Sequence, residues 1–200
     1  MASDAWFTWC RDYGRAAEVW TLPGLRRRAE ARGFRFTDNT AQRQAFDFTL
    51  ERRSRRLWGD VKRAGRRACN FPTVSLETLS NRGERSWAFR LDVLCVVKEE
   101  PTGTRVYWVN LRKYREDTAD FTAFQAGEAS TMPGPEGSTV LNVQLAALER
   151  RGCLEDVTAE FTAAYREDHG DTPPESLFTP SPERDAQPMP PLALPSLARP

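Results

Sequence analysis

The sequence predicts an α/β domain in which a mixed sheet is flanked by helices. Two observations carry that expectation. Segments with helical periodicity alternate with β-rich runs, in the order helix, helix, hairpin, strand, strand, strand, helix, strand, helix. In addition, 200 residues suffice for one domain with a sizeable core and leave little for a second.

The first helix is expected over residues 4–22. There Trp6, Trp9, Cys10, Tyr13, Ala17 and Trp20 recur every three or four positions and make one apolar stripe. A second helix should begin in TLPGLRRRAEARG, with Thr21 as its cap, Pro23 in its first turn and Gly33 as its terminator. FDFTLERRSRRLWGDVKR, residues 46–63, then reads as a strand pair around the polar loop Arg52-Arg53-Ser54-Arg55. Further strands are expected in FPTVSLETL (71–79) and in the DVLCVV part of WAFRLDVLCVVKE (87–99). After the turn chemistry of EPTGTR, another follows in RVYWVNL (105–111). LRKYREDTADFTAF reads as helix and STMPGPEGS as loop. TVLNVQLAALERRG reads as a short strand running into a helix that Gly152 closes. Residues 170–200 hold 9 of the 14 prolines and almost no aromatic residues. The domain is therefore placed at 1–168, with a disordered Pro-rich tail at 169–200.

Composition excludes several kinds of chemistry. His169 is the only histidine and lies at the edge of the Pro-rich stretch, which argues against a Ser-His-Asp triad, a Cys-His pair and a His-ligated zinc site. The four cysteines (Cys10, Cys69, Cys95, Cys153) are far apart and form no C-x-x-C, as expected of reduced thiols packed as small hydrophobes. Neither a P-loop nor a G-x-G-x-x-G fingerprint is present. With no signal-peptide pattern and no apolar run of membrane-spanning length, the expectation is a cytoplasmic protein without a membrane partner. Net charge is only +1, but residues 26–67 carry 14 Lys/Arg against 5 Asp/Glu. Such a block suits a polyanion and suits a solvated face equally well.

The strand pair raises the sharpest question, because it places two acids and a lysine among apolar residues. If the loop is centred between Arg53 and Ser54, opposite residues have numbers summing to 107. Phe46 then faces Val61, Phe48 faces Gly59, and Leu50 faces Leu57, all on one apolar face. On the other face Asp47 lies opposite Asp60, and Lys62 follows at the two-residue strand period. Like charges directly opposite are destabilising, so the pair wants a cation between its members. Oxygen-only donors favour a hard ion, Mg²⁺ or Mn²⁺, which retains waters that can become an attacking hydroxide. Lys62 would orient that water or offset negative charge growing on a phosphoryl oxygen. The competing reading of Asp60 and Lys62 is a same-face salt bridge on an exposed sheet.

An Asp on one strand, a hairpin, and Asp/Glu-x-Lys on the next strand resemble the core of the PD-(D/E)xK nuclease superfamily. Its members include restriction endonucleases and Holliday-junction resolvases. AFDFTL supplies Asp47, and WGDVKR supplies Asp60 and Lys62. The downstream order, VSLETLSNRGERSWAF, LDVLCVV, a turn and RVYWVNL, looks like a bacterial or phage branch. The resemblance covers roughly residues 10–150 and rests on short motifs, with Phe46 standing where the family name has proline. It implies a restriction-endonuclease-like fold and a Mg²⁺-dependent deoxyribonuclease whose metal is held by Asp47 and Asp60. Lys62 would assist the nucleophile, and Glu18 would stand for the acid that many members carry on the first helix. Many such enzymes pair to cut both strands, so a homodimer is compatible. Arg52, Arg53, Arg55 and Arg56 on the hairpin, with Arg63, Arg66 and Arg67 after Lys62, are expected to contact DNA phosphates without reading sequence. Glu77 is expected to be an ordinary sheet-face residue, and Trp87 and Trp108 to belong to the core. The rival function is a catalytically inactive nucleic-acid-binding or assembly module of the same fold.

Overall fold

The computed structural model describes residues 4–42, 46–64, 73–100, 103–125, 127–134 and 137–171. Arg66, Arg67 and the tail from residue 172 lie outside the described residues. The chain is α/β, with one six-stranded mixed sheet and a second, three-stranded antiparallel sheet.

A single helix, α1 (Asp4–Ala31), replaces the two expected at the N-terminus. Thr21 is not a cap. Its hydroxyl donates 2.9 Å to the carbonyl of Ala17 one turn back, in the buried middle of the helix. Pro23 costs the helix a hydrogen bond, yet Ala17, Trp20, Leu25 and Ala29 on both sides of it bury into one core. Tertiary packing holds the turns together where local propensity alone would part them. Gly33 does end the helix: at φ +71° it donates to Glu30 O, and Phe34 N donates to Ala29 O. That is a Schellman closure.

Strands β1 (Arg35–Asp38), β2 (Phe48–Arg52) and β3 (Arg55–Ala64) form an antiparallel meander. The β2–β3 register is the expected one, with Phe48 opposite Gly59 and Leu50 opposite Leu57. Arg53 takes the left-handed conformation (φ +54°) that a tight hairpin demands. After β4 (Thr73–Leu79), the chain returns as β5 (Val93–Glu100), which pairs parallel with β3. β6 (Gly103–Asn110) is antiparallel to β5, and the short β9 (Leu154–Asp156) completes the order β1-β2-β3-β5-β6-β9. The second sheet runs β4-β8-β7, with β7 at Ala129–Pro133 and β8 at Thr139–Gln144. The helix expected over LRKYREDTADFTAF stops early. α2 (Leu111–Asp117) gives way to Ala119, Asp120 and Phe121, all at positive φ. α3 (Leu145–Arg150) closes at Gly152 as expected, and α4 (Thr158–His169) ends the described chain.

The large sheet separates two cores. α1 and α4 cover one face, where Trp20, Phe48, Cys95, Val97 and Phe161 meet. The other face carries Leu94, Val96 and Val109, and is covered by α2, α3 and the second sheet through Tyr114, Leu148, Leu76 and Leu141. Val93 to Lys98 of β5 are therefore buried without interruption, as a central parallel strand requires.

Phe46 departs from its expected place. It belongs to the second of these cores and stacks on Trp58 (centroids 5.6 Å apart, 22° between planes), so it does not share a face with Phe48 and Leu50. The cause is Asp47. Its Oδ2 accepts a 2.7 Å hydrogen bond from Val61 N, taking the donor that the ladder would otherwise use. The strand pairing therefore stops at Phe48–Gly59, and the chain bends at residues 46–47.

Candidate active site

The bend aims Asp47 at the neighbouring strand. Its backbone carbonyl accepts from Asn39 N at 2.8 Å, so the residue is fixed from β1 as well as from β3. Asn39 is itself buried and donates 2.8 Å from Nδ2 to the Thr49 hydroxyl. On β3, Trp58, Asp60 and Lys62 alternate onto one face. The latter two lie opposite Leu94 and Val96 of β5, which belong to the core beneath that face.

Asp60 is buried, with 5% of its surface exposed. Its Oδ2 lies 2.5 Å from Lys62 Nζ, yet no donor is aligned with that oxygen, so its charge is compensated while its hydrogen-bonding capacity is not. Burial pushes the Asp60 carboxyl up to about 8. Lys62 opposes the rise, and the hydrogen-bonded carboxyl of Asp47 adds to it. The two acids expected to converge do converge. Lys62 has a second contact that the sequence did not announce: its ammonium sits 4.7 Å from the centre of the Trp87 ring. Trp87 packs against the core as expected, and at the same time it holds the lysine.

Glu18 reaches the same place from α1. Burial raises its pKa first, and the charge of Asp47 raises it next; Asp38 adds to the rise, while Arg15 and Lys62 pull it down. Glu18 is thus coupled by charge to Asp38, Asp47 and Lys62. Asp38 was not singled out from the sequence. It is exposed and accepts from the backbone and hydroxyl of Thr40.

Among the described residues, no three His, Cys, Asp or Glu side chains are close enough together to form a ready metal cage. Two facing carboxylates, one carrying an unsatisfied buried oxygen, nevertheless fit a hard divalent ion, because Mg²⁺ binds through one or two carboxylates and keeps its waters. Asp47 and Asp60 would hold it.

The basic block divides. Arg28 is buried and bridges Glu155 of β9 and Glu160 of α4 (2.6 Å to the latter), with its guanidinium 4.9 Å from the Trp108 ring centre. Arg35 and Arg56 both pair with Glu51, and Arg52 donates back to the carbonyl of Arg32 at the end of α1. Arg53 and Arg55 stand exposed at the hairpin tip. Arg63 points to the α1 side of the sheet, since it pairs with Val97 and alternates with Lys62. Glu77 lies on β4 in the second sheet.

No family model matches the chain, and no curated protein or solved structure matches it at a significant level. Among the described residues, no helix is long and apolar enough to cross a membrane.

Proposed function

We propose that this chain is a metal-dependent nuclease of the PD-(D/E)xK kind, hydrolysing phosphodiester bonds of DNA. One observation supports the reading above all others. The buried Asp60 faces Asp47 across the hairpin, has an oxygen without a hydrogen bond, and has Lys62 beside it. A structural ion pair gains nothing from a second carboxylate in contact with the first, whereas a divalent cation gains a second ligand from it.

When bound, Mg²⁺ or Mn²⁺ would supply Lewis acidity and a water of lowered pKa. The chain's own residues do the rest. Val61 N fixes the Asp47 carboxylate from the strand edge, and Glu18 contributes negative charge from α1. Lys62, steadied by Trp87, would offset negative charge growing on a phosphoryl group brought to the site. Arg55, about 17 Å along β3 from Asp60, and Arg53 in the turn beyond it would meet phosphates away from the cleaved bond.

A second reading is an inactive nucleic-acid-binding module of the same fold. It draws on the closeness of Lys62 to Asp60, which neutralises the acid without any metal. Incubation of purified protein with supercoiled, linear and branched DNA in Mg²⁺ and in EDTA separates the two. Cleavage that requires the metal is expected; binding without cleavage on every substrate would favour the inactive module.

A further inference from the structure

The short 3₁₀ turn Trp87–Arg90 lies along the row Trp58, Asp60, Lys62 and contacts both ends of it. Trp87 meets Lys62 at one end. At the other, the Arg90 guanidinium lies 5.5 Å from the Trp58 ring centre and 5.7 Å from that of Phe46, over the stacked pair. Residues three apart in a 3₁₀ turn share one side, which is why both can face the row. Arg90 is exposed, and among the described residues no carboxylate pairs with it. Other basic side chains are paired: Arg35 and Arg56 with Glu51, and Arg85 with Asp120.

Its position is rigid as well as free. Leu91, next in the chain, is fully buried. Asp92 is bound to Trp58 through both backbone and side chain: its N–H donates 2.9 Å to Trp58 O, and its Oδ2 accepts 3.0 Å from Trp58 N. Arg90 is therefore fixed to the strand that carries Asp60, and Trp58 stands one strand period from that acid, about 6–7 Å. A guanidinium lying over aromatic rings has lost part of its side-chain freedom, and its in-plane N–H groups can still form a bidentate pair with a phosphate.

We propose that Arg90, steadied by the Phe46–Trp58 stack, grips the backbone phosphate adjoining the one that is cleaved. This inference rests on the nuclease reading and adds a binding residue to that site. The test measures binding of a fluorescein-labelled DNA duplex by anisotropy in EDTA, across a range of salt concentrations, for wild type, Arg90→Ala and Arg90→Lys. Arg90→Ala should bind about tenfold more weakly and lower the slope of log K against log salt by about one, the loss of a single phosphate contact. Arg90→Lys should keep the slope and lose affinity, because the charge remains and the fork does not. Duplexes with one phosphate neutralised as methylphosphonate locate the contact. Neutralisation next to the cleaved bond should weaken wild type and leave Arg90→Ala unaffected. Wild type that cuts DNA while Arg90→Ala retains both slope and affinity overturns the inference alone. Wild type that neither binds nor cuts overturns the nuclease reading together with it.

Discussion

Replacing Asp60 by Asn should change how stability depends on pH, and the structure sets the scale. The Asp60 carboxyl has its ordinary value of 3.8 in the unfolded chain and about 8 in the fold, driven mainly by burial and, beyond that, by Asp47. Between those values the folded state holds a proton that the unfolded chain has released. Stability from this group is therefore complete below about pH 4 and falls as pH rises, by up to about 1.4 kcal/mol per unit. By pH 7 the loss is at most about 4 kcal/mol, and above about pH 8 it levels off. Asn carries no such proton. In EDTA, the wild-type minus Asp60→Asn difference in unfolding free energy should therefore decline steadily from pH 5 to pH 8, with the variant the more stable at the upper end. Taking the difference cancels the titrating groups that do not interact with Asp60 and leaves Asp60 with its partners Asp47 and Lys62. Mg²⁺ at pH 8 should recover wild-type stability by binding the ionised pair, and should leave the variant unchanged. Urea midpoints at half-unit pH steps, with and without metal, measure all of this. A difference that stays flat from pH 5 to pH 8 would refute the burial and pairing assigned to Asp60.

Further substitutions probe the remaining parts. Lys62→Ala should slow single-turnover cleavage by roughly 10²-fold or more with DNA affinity little changed, since its charge acts mainly on the transition state. Glu18→Gln should weaken Mn²⁺ binding, followed by calorimetry; because burial and Asp47 raise the Glu18 pKa, it should also reduce the loss of stability as pH rises above 4.5. Arg53→Ala with Arg55→Ala should weaken DNA binding for all sequences alike and lower the salt slope by about two, leaving the rate at saturating DNA intact. Gly59→Ala should cost about 2 kcal/mol or more by denaturant titration, because a Cβ there would stand 2.0 Å from Cζ of Phe48.

The hairpin was legible because its signal is local. Apolar alternation and one polar break fix the register up to Phe48 and Gly59, and continuing it by one residue brings Asp47 to Asp60, whose carboxyls meet although the ladder has ended. The features that escaped the sequence depend on distant partners. Nothing near Thr21 and Pro23 reveals that Trp20 and Leu25 will be buried together, so two helices were expected where one long helix forms. β1, β7 and β9 were missed because they are short edge strands with half or more of their side chains exposed and no apolar alternation. Phe46 changes face because the Asp47 carboxylate displaces a ladder bond, a competition that periodicity does not express. The contacts of Trp87 with Lys62 and of Arg90 with Trp58 exist only because β5 returns parallel to β3 and brings the 3₁₀ turn alongside. The basic excess was visible in the sequence. Its division between paired arginines and the exposed Arg53 and Arg55 was legible only where the hairpin register puts Glu51 opposite Arg56; Arg28 finds Glu155 and Glu160, and Arg35 finds Glu51, through the tertiary fold.

The central claim is that Asp47 and Asp60 form a metal-dependent hydrolytic centre. Single-turnover cleavage of plasmid DNA in Mg²⁺ by wild type, Asp47→Asn and Asp60→Asn, at protein concentrations that saturate binding, tests it most directly. Wild type should convert supercoiled DNA to nicked or linear product, EDTA should stop it, and each variant should bind DNA while cutting more slowly by roughly 10²-fold or more, the scale of losing a principal electrostatic group. Cleavage by Asp60→Asn at the wild-type rate, or by wild type undiminished in EDTA, would contradict it.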